Sequence, residues 1–337
     1  MIKRLSLFAL SLGVLWAPWA HAAESVNVYS YRQPFLVDPL FDMFTEQTGI
    51  KVNTVFAKKG LVERLKREGK NSPADLLLTS DFNNLNIAVA ADVLQAVNND
   101  VLTSNIPAEF RDNNNLWFGL TNRARLIAVS KDRIGSTAPQ RYEDLVNPEY
   151  KGRICTRSGK HNYMVALIAS VITAHDEATA KTWLEGVKEN LARKPQGNDR
   201  AQIKAISQGE CDVAIINSYY MGAMLADPEQ TEWANSVNLV FPNQSDRGTH
   251  MNISGMGLTT SAPNKANAIK LMEFLTSTEA QRYYADVNNE YPVNKSVPAS
   301  ELVQSWGKFK YDTQPLSGIA QQRNAASRLV DEVNYDQ

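Results

Sequence analysis

The sequence predicts an α/β fold in two lobes that exchange strands and hold a ligand in the cleft between them. Three observations carry this. Apolar runs of strand length alternate with stretches of helical periodicity, the order of parallel sheets covered by helices. With an N-terminal export signal set aside, about 315 of the 337 residues remain, more than one hydrophobic core usually spans. The alternation also restarts near residue 142, which places strand crossovers near 120 and 245.

Lys3 and Arg4 precede an apolar stretch at 5–19, and Ala20-His21-Ala22 supplies small residues for cleavage. Residues 1–22 therefore read as a secretory signal peptide, cut after Ala22 and followed by a polar chain. No later stretch reaches the roughly 18 apolar residues of a spanning helix, so membrane insertion is not expected. The signal carries two basic and no acidic residues, so 35 basic and 36 acidic residues leave a net charge of −3 after cleavage. Nothing in that balance attracts nucleic acid or an anionic membrane.

The strand at 26–31 is ended by Arg32-Gln33-Pro34. Leu36, Leu40, Phe41 and Phe44 then recur at helical spacing, and Gly49 closes that helix. A strand at 51–56, a helix at 61–68, a buried strand at 74–79 and a helix at 83–93 follow. Two strands are expected at 117–121 and 125–129, with Asn122-Arg123-Ala124 between them. Beyond them the pattern gives a short helix at 142–146, a strand at 153–156 and helices at 163–174, 177–191 and 199–208. Strands at 211–217, 237–242 and 252–258 come next, the last weakened by Gly255 and Gly257. Helices at 265–277 and 279–287 and a single final helix at 317–333 complete the chain. Its lobes are expected at 23–120 plus 247–298 and at 121–246 plus 299–337.

Two features stand out for chemistry. Cys155 and Cys211 lie at strand edges, and an even count in an exported chain favours a disulfide. That bond would tie the strand at 211–217 to its neighbour and add ~4 kcal/mol in the chain-entropy model. A two-cysteine metal site competes with it, but no CxxC or nearby His supports one. The second feature is Tyr219-Tyr220, just after the apolar run 213–216 and Asn217-Ser218. At a strand-to-helix turn the strand alternation breaks, and two neighbouring phenols can converge on one point, as a hard cation needs. Tyr283-Tyr284 is a second pair on an ordinary amphipathic helix and reads as packing. Core packing is also the expectation for Tyr29 and Tyr31, and a contact near the cleft for Tyr291.

An enzyme is not expected. The chain has no G-x-S-x-G, H-E-x-x-H or P-loop, and no G-x-G-x-x-G opens a helix after the first strand. Binding of an organic solute such as a polyamine, thiamine or sugar is the other reading, with Trp117, Trp183 or Trp233 as apolar walls.

Several segments together resemble the periplasmic ferric-iron-binding proteins of ABC transporters. They include Val28-Tyr29-Ser30-x-Arg32, Ala74-Asp75-Leu76, Thr121-Asn122-Arg123-Ala124-Arg125, Arg153-Ile154-Cys155 and Gly209-Glu210-Cys211-Asp212. Asn217-Ser218-Tyr219-Tyr220, Arg247-Gly248-Thr249-His250, Asn252-Ile253-Ser254-Gly255 and Glu290-Tyr291-Pro292-Val293 continue the series. The resemblance implies a two-lobed periplasmic binding protein fold, a monomer in the periplasm, and delivery of Fe³⁺ to an inner-membrane permease. It also implies Tyr163, Tyr219 and Tyr220 as iron ligands. Many members add a His and a Tyr directly after the arginine of the first strand, where this chain has Gln33-Pro34. That departure resembles a subgroup completing the iron shell with a synergistic anion such as carbonate, held by Arg123 with Arg32 and Gln33. Arg123 is expected to point into the cleft and Arg125 away from it. His161 is expected to position the loop before Tyr163, and His250 to belong to the interlobe crossover.

The chemistry is consistent with those residue types. Ferric iron is a hard ion that takes anionic oxygen. Phenols are mostly neutral at pH 7, and a bound cation reverses that. Three phenolates neutralise Fe³⁺, so an added dianion calls for a cationic partner, and arginine offers a planar fork that stays charged.

Overall fold

The computed structural model describes residues 24–337; the export signal and cleavage site expected from the sequence lie outside the described residues. Ten strands run in chain order: β1 (Ser25–Ser30), β2 (Lys51–Phe56), β3 (Leu76–Thr79), β4 (Leu94–Gln95), β5 (Phe118–Ser130), β6 (Ile154–Cys155), β7 (Val213–Asn217), β8 (Val237–Val240), β9 (Met251–Thr259) and β10 (Tyr291–Pro292). The helices that precede the middle of the chain are α1 (Pro34–Thr48), α2 (Leu61–Glu68), α3 (Phe82–Ala90) and α4 (Asp100–Asn105). Next come α5 (Asn162–Ala174), α6 (Glu177–Glu189), α7 (Asp199–Ser207), α8 (Tyr219–Leu225) and α9 (Thr231–Asn235). The last are α10 (Lys265–Thr276), α11 (Thr278–Asp286), α12 (Glu301–Ser305), α13 (Leu316–Gln321) and α14 (Arg323–Glu332).

The sheet order is β2-β1-β3-β9-β5-β7-β6. Its outer pairs are parallel, β1 with β2 and β3 at one end and β6 with β7 at the other, as strands separated by helices require. The centre departs from the all-parallel expectation, because β9 and β5 run antiparallel to each other and to their other partners. They arrive from loops rather than through crossover helices, so nothing forces them parallel.

The two strands expected around residue 120 are one strand of thirteen buried residues. Residues 118–124 of β5 pair with β9, and 125–130 pair with β7 and β8. The chain changes partners at Ala124–Arg125 without leaving extended conformation, and a sequence shows only the polar residues at that switch. Along β5, Leu126 and Ala128 face one apolar cluster and Ile127 and Val129 another, the alternation a strand buried on both faces produces. The single final helix is two, broken at Gln322: α13 packs on α3 and α5, and α14 on α5 and α6.

Local stops match their residues. Gly49 ends α1 at φ +73°, in the left-handed region that favours glycine, and its N–H donates to Thr45 O. Cys155 and Cys211 form a disulfide with Cα atoms 5.9 Å apart. It joins β6 to the residue two before β7, and Asp212 reinforces the join by accepting from Arg153 Nε at 2.7 Å and from Arg133 Nε. The strand that leads to Tyr219 is thereby fixed to its neighbour.

Candidate metal centre

A cavity of about 420 Å³ is lined by Tyr163, Tyr219, Tyr220, Arg123, Arg32 and Gln33. Every ligand and anion-binding residue expected from the sequence thus reaches one place, from four separate stretches of chain. Arg32 and Gln33 leave the end of β1, and Arg123 stands on β5 beside its change of partner. The turn from β7 into α8 is anchored there too. Ser218 N–H donates to Ala124 O at 3.0 Å, and Ala124 N–H donates to Ser218 Oγ at 3.2 Å. Tyr219 and Tyr220 follow at once and stack, with ring centroids 4.3 Å apart and planes at 29°.

Tyr163 is the second residue of α5. Its N–H donates to His161 Nδ1 at 3.2 Å, and the two rings meet edge-on at 4.7 Å. Burial and the nearby Arg157 push the His161 imidazole down to about 3. It is therefore a neutral acceptor that caps α5, which matches the positioning role expected of it. The residues that precede α1, α3, α5 and α7 (Gln33, Asp81, His161 and Asn198) all line the cavity. Four helix N-termini thus converge on it, and their partial positive charge favours anionic groups.

Without a cation the Tyr219 and Tyr220 phenols stay protonated. Burial first, then Tyr163 and Tyr220, push the Tyr219 phenol well above its ordinary value despite the opposing pull of Arg123. Burial, Asp199 and Tyr163 likewise raise Tyr220. Neighbouring phenols cannot all ionise in a half-buried site unless a strongly positive ion offsets them. Among the described residues no group of three or more His, Cys, Asp or Glu side chains could hold a metal. The tyrosines are therefore the candidate donor set, and hard oxygen donors of this kind fit Fe³⁺.

The arginines are arranged differently from expectation in one respect. Arg125 does not point away: its guanidinium lies 6.0 Å from the Tyr163 ring, with Arg123 at 5.6 Å and Arg157 at 5.1 Å. Residues two apart on a strand share a face, so Arg123 and Arg125 had to be on the same side. What separates them is the pairing of Arg125. Arg125 Nη1 donates to Asp199 Oδ1 at 2.5 Å, Arg157 to the other oxygen of Asp199, and Asn217 N–H to Oδ1 at 2.8 Å. Burial would raise the Asp199 carboxyl, but Arg125 and Arg157 hold it below the ordinary range. Both arginines are buried with Nε and Nη2 lacking a hydrogen-bond partner among the described residues, but of the two only Arg123 lines the cavity. Those two N–H groups form the edge of the guanidinium that grips a carbonate- or carboxylate-like anion.

Three cavity residues were missed from the sequence, Glu290, Arg157 and Asp81, as was Asp199, which pairs with Arg125 and Arg157. Glu290 alone had a signal, since it opens the Glu290-Tyr291-Pro292-Val293 segment. The packing expectations for the other tyrosines match. Tyr284 is fully buried, Tyr29 donates to Glu68, and the Tyr31 hydroxyl accepts from the N–H groups of Leu61 and Val62 at the start of α2, although Tyr31 also lines the cavity. Tyr291 packs edge-on against Phe309 at 5.4 Å, outside the cavity lining. His250 is buried just before β9 with both ring nitrogens unpartnered among the described residues. None of the three tryptophans weighed as apolar walls lines the tyrosine cavity; Trp183 donates from the core to Tyr142 O, and Trp117 lines a separate cavity of about 540 Å³.

Residues 71–311 match the family model described as bacterial extracellular solute-binding protein. Iron uptake protein A1 of Synechocystis sp. is 42% identical over 315 residues, 93% of this chain and 88% of that protein. The crystal structure of Pasteurella haemolytica apo ferric ion-binding protein A superposes with a TM-score of 0.90 at 52% identity, covering 94% of this chain and 99% of that one. Trichodesmium IdiA (FutA), solved in complex with iron and citrate ligands, superposes with a TM-score of 0.86 at 42% identity, covering 92% and 99%. The two-lobed binding-protein architecture is common to these neighbours, and the chain belongs to the bacterial extracellular solute-binding protein family.

Proposed function

We propose that this chain is the periplasmic substrate-binding component of an iron(III) ABC transporter. It holds Fe³⁺ through the phenolates of Tyr163, Tyr219 and Tyr220. A synergistic anion, carbonate or one like it, sits on Arg123, with Arg32 and Gln33 beside it, and completes the shell. The iron-loaded monomer delivers its cargo to an inner-membrane permease. The lobes are 23–120 plus 247–298 and 121–246 plus 299–337, and the cavity lies between them. Members of the family are substrate-binding transport proteins, not enzymes.

The observation that carries the reading is the convergence of three tyrosines from α5 and α8 beside the unpartnered edge of Arg123. The names of the relatives, iron uptake and ferric ion-binding proteins, point to the same cargo. Iron bound to tyrosinate gives a visible charge-transfer colour that organic solutes do not. Adding ferric citrate at neutral pH to the iron-free protein should produce that band at one iron per chain. A protein that stays colourless refutes the proposal.

A further inference from the structure

Glu290 stands among the arginines of the cavity and has no part in the reading above. Its Oε2 accepts from Arg32 Nη2 at 2.7 Å and its Oε1 from Arg32 Nη1 at 3.3 Å, a two-pronged fork. Arg123 Nη1 lies 3.6 Å from the same Oε1. All three side chains are almost fully buried. The backbone fixes Glu290 in place from two sides. The residues after it, Tyr291 and Pro292, pair with Asn122 and Thr121 of β5, next to Arg123. The residue before it, Asn289, packs on α8 at Gly222, where an added Cβ would fall 2.2 Å from Asn289 Cγ. Glu290 is therefore wedged between the strand that carries Arg123 and the helix that carries the tyrosine pair.

The fixed charges that line the cavity, taken with the Arg125–Asp199 pair, can be counted; Arg200, 5.9 Å from the Tyr220 ring, lies outside the lining. Three phenolates cancel Fe³⁺. Arg32 and Arg123 against Glu290 leave one positive charge, and Arg125 and Arg157 against Asp199 leave another. Asp81 and Lys58, which also line the cavity, cancel each other. The remainder equals the charge of one dianion. Glu290 also decides where the anion sits, because it occupies the outer nitrogens of Arg32 and leaves Arg123 its Nε and Nη2.

We infer that Glu290 is a specificity-determining residue: it holds the arginine pair to one net positive charge, so that a dianion is preferred to a trianion beside the metal. This rests on the proposal that the cavity takes ferric iron with an anion. Without the Glu290 charge, one more positive charge faces the anion, and citrate gains on carbonate.

The test uses the iron-loaded protein. Its anion is exchanged by dialysis against bicarbonate or citrate, and the charge-transfer band reports which is bound. For Glu290→Gln, the citrate-to-carbonate preference should rise by about ten- to a hundredfold, the effect of one charge at roughly 6 Å in a partly screened site. Glu290→Ala should shift the same way, and formate, filling the place of the lost carboxylate, should restore the parental ratio. Glu290→Asp keeps the charge and should keep the ratio. Folded Glu290→Gln with an unchanged ratio, Glu290→Ala without a formate response, or a changed ratio in Glu290→Asp each overturns the inference. If the band of the parent protein responds to no anion, the anion proposal fails and takes this inference with it. A response in the parent that is unaltered in the variants defeats this inference alone.

Discussion

Replacing both cysteines, Cys155→Ala with Cys211→Ala, separates what the disulfide does for stability from what it does for the site. The bond links residues 56 apart in sequence, which in the chain-entropy model removes about 4 kcal/mol of unfolded-state freedom. A chain of about 315 residues unfolding as one unit has a transition entropy of roughly 0.66 kcal/mol per kelvin, so Tm should fall by about 6 °C. Both sulfurs are buried, and the small voids left by alanine add to that loss. The dominant effect acts on the unfolded chain, so the same fall is expected with and without iron. The site itself should hold. The register of β7 is set by five pairs with β5, from Arg125↔Asn217 to Val129↔Val213, and the turn into Tyr219 is tied to Ala124. Iron affinity should therefore change less than about threefold. Calorimetry of the two forms and titration of the charge-transfer band measure both quantities. A Tm drop under about 2 °C, or a tenfold loss of iron affinity with an intact fold, refutes this division of roles.

Tyr219→Phe, Tyr220→Phe and Tyr163→Phe each remove one phenol oxygen and keep the ring. Iron affinity should drop by more than about a hundredfold, since losing only an outer-shell partner of a metal ligand already costs 10–100-fold. Circular dichroism should stay parental, and parental binding by Tyr219→Phe and Tyr220→Phe together would show the site to be elsewhere. Arg123→Ala should weaken binding most when bicarbonate is scarce, and a loss independent of bicarbonate would remove Arg123 from the anion site. Because the Tyr219 and Tyr220 phenols are raised, both lose protons to bind iron. Apparent affinity should therefore fall about a hundredfold or more per unit of pH lowered, and a slope near one proton contradicts the ligand set. His250 gives a stability effect. Burial, then Arg247 and Arg125, depress its imidazole to about 3, while the unfolded chain binds that proton near 6.5. Its contribution is present above 6.5 and lost as pH falls towards 3, at up to ~1.4 kcal/mol per unit. His250→Phe should flatten that slope in denaturant titrations, and an unchanged slope contradicts it.

The parts of the site that were legible in the sequence are those whose signal is local. Tyr219-Tyr220 follows an apolar run and a Ser, and that order alone gives a strand, a turn and a helix start. The cysteines carried their own signal through pairing and export. The unreadable parts depend on choices made across the chain. Arg32 pairs with Glu290, 258 residues away, and Arg125 with Asp199, 74 away. With 36 acidic residues available, composition cannot say which carboxylate a buried arginine takes. The partner switch in β5 was equally silent, because the strand continues while its hydrogen bonds change sides.

Those long-range pairs explain how such a site can exist before its cargo arrives. Four buried arginines in or beside one cavity would repel one another if they lacked counter-charges. Asp199 pairs with two of them and Glu290 closely with the third, which leaves Arg123 the most loosely paired, its Nη1 3.6 Å from Glu290. On the proposed reading, a cation that ionises the phenols changes the field at one stroke and gives the free edge of Arg123 an anion to hold. The electrostatics then predict that the carboxylates keep the ligand-free state stable and that iron and anion each bind more tightly in the other's presence.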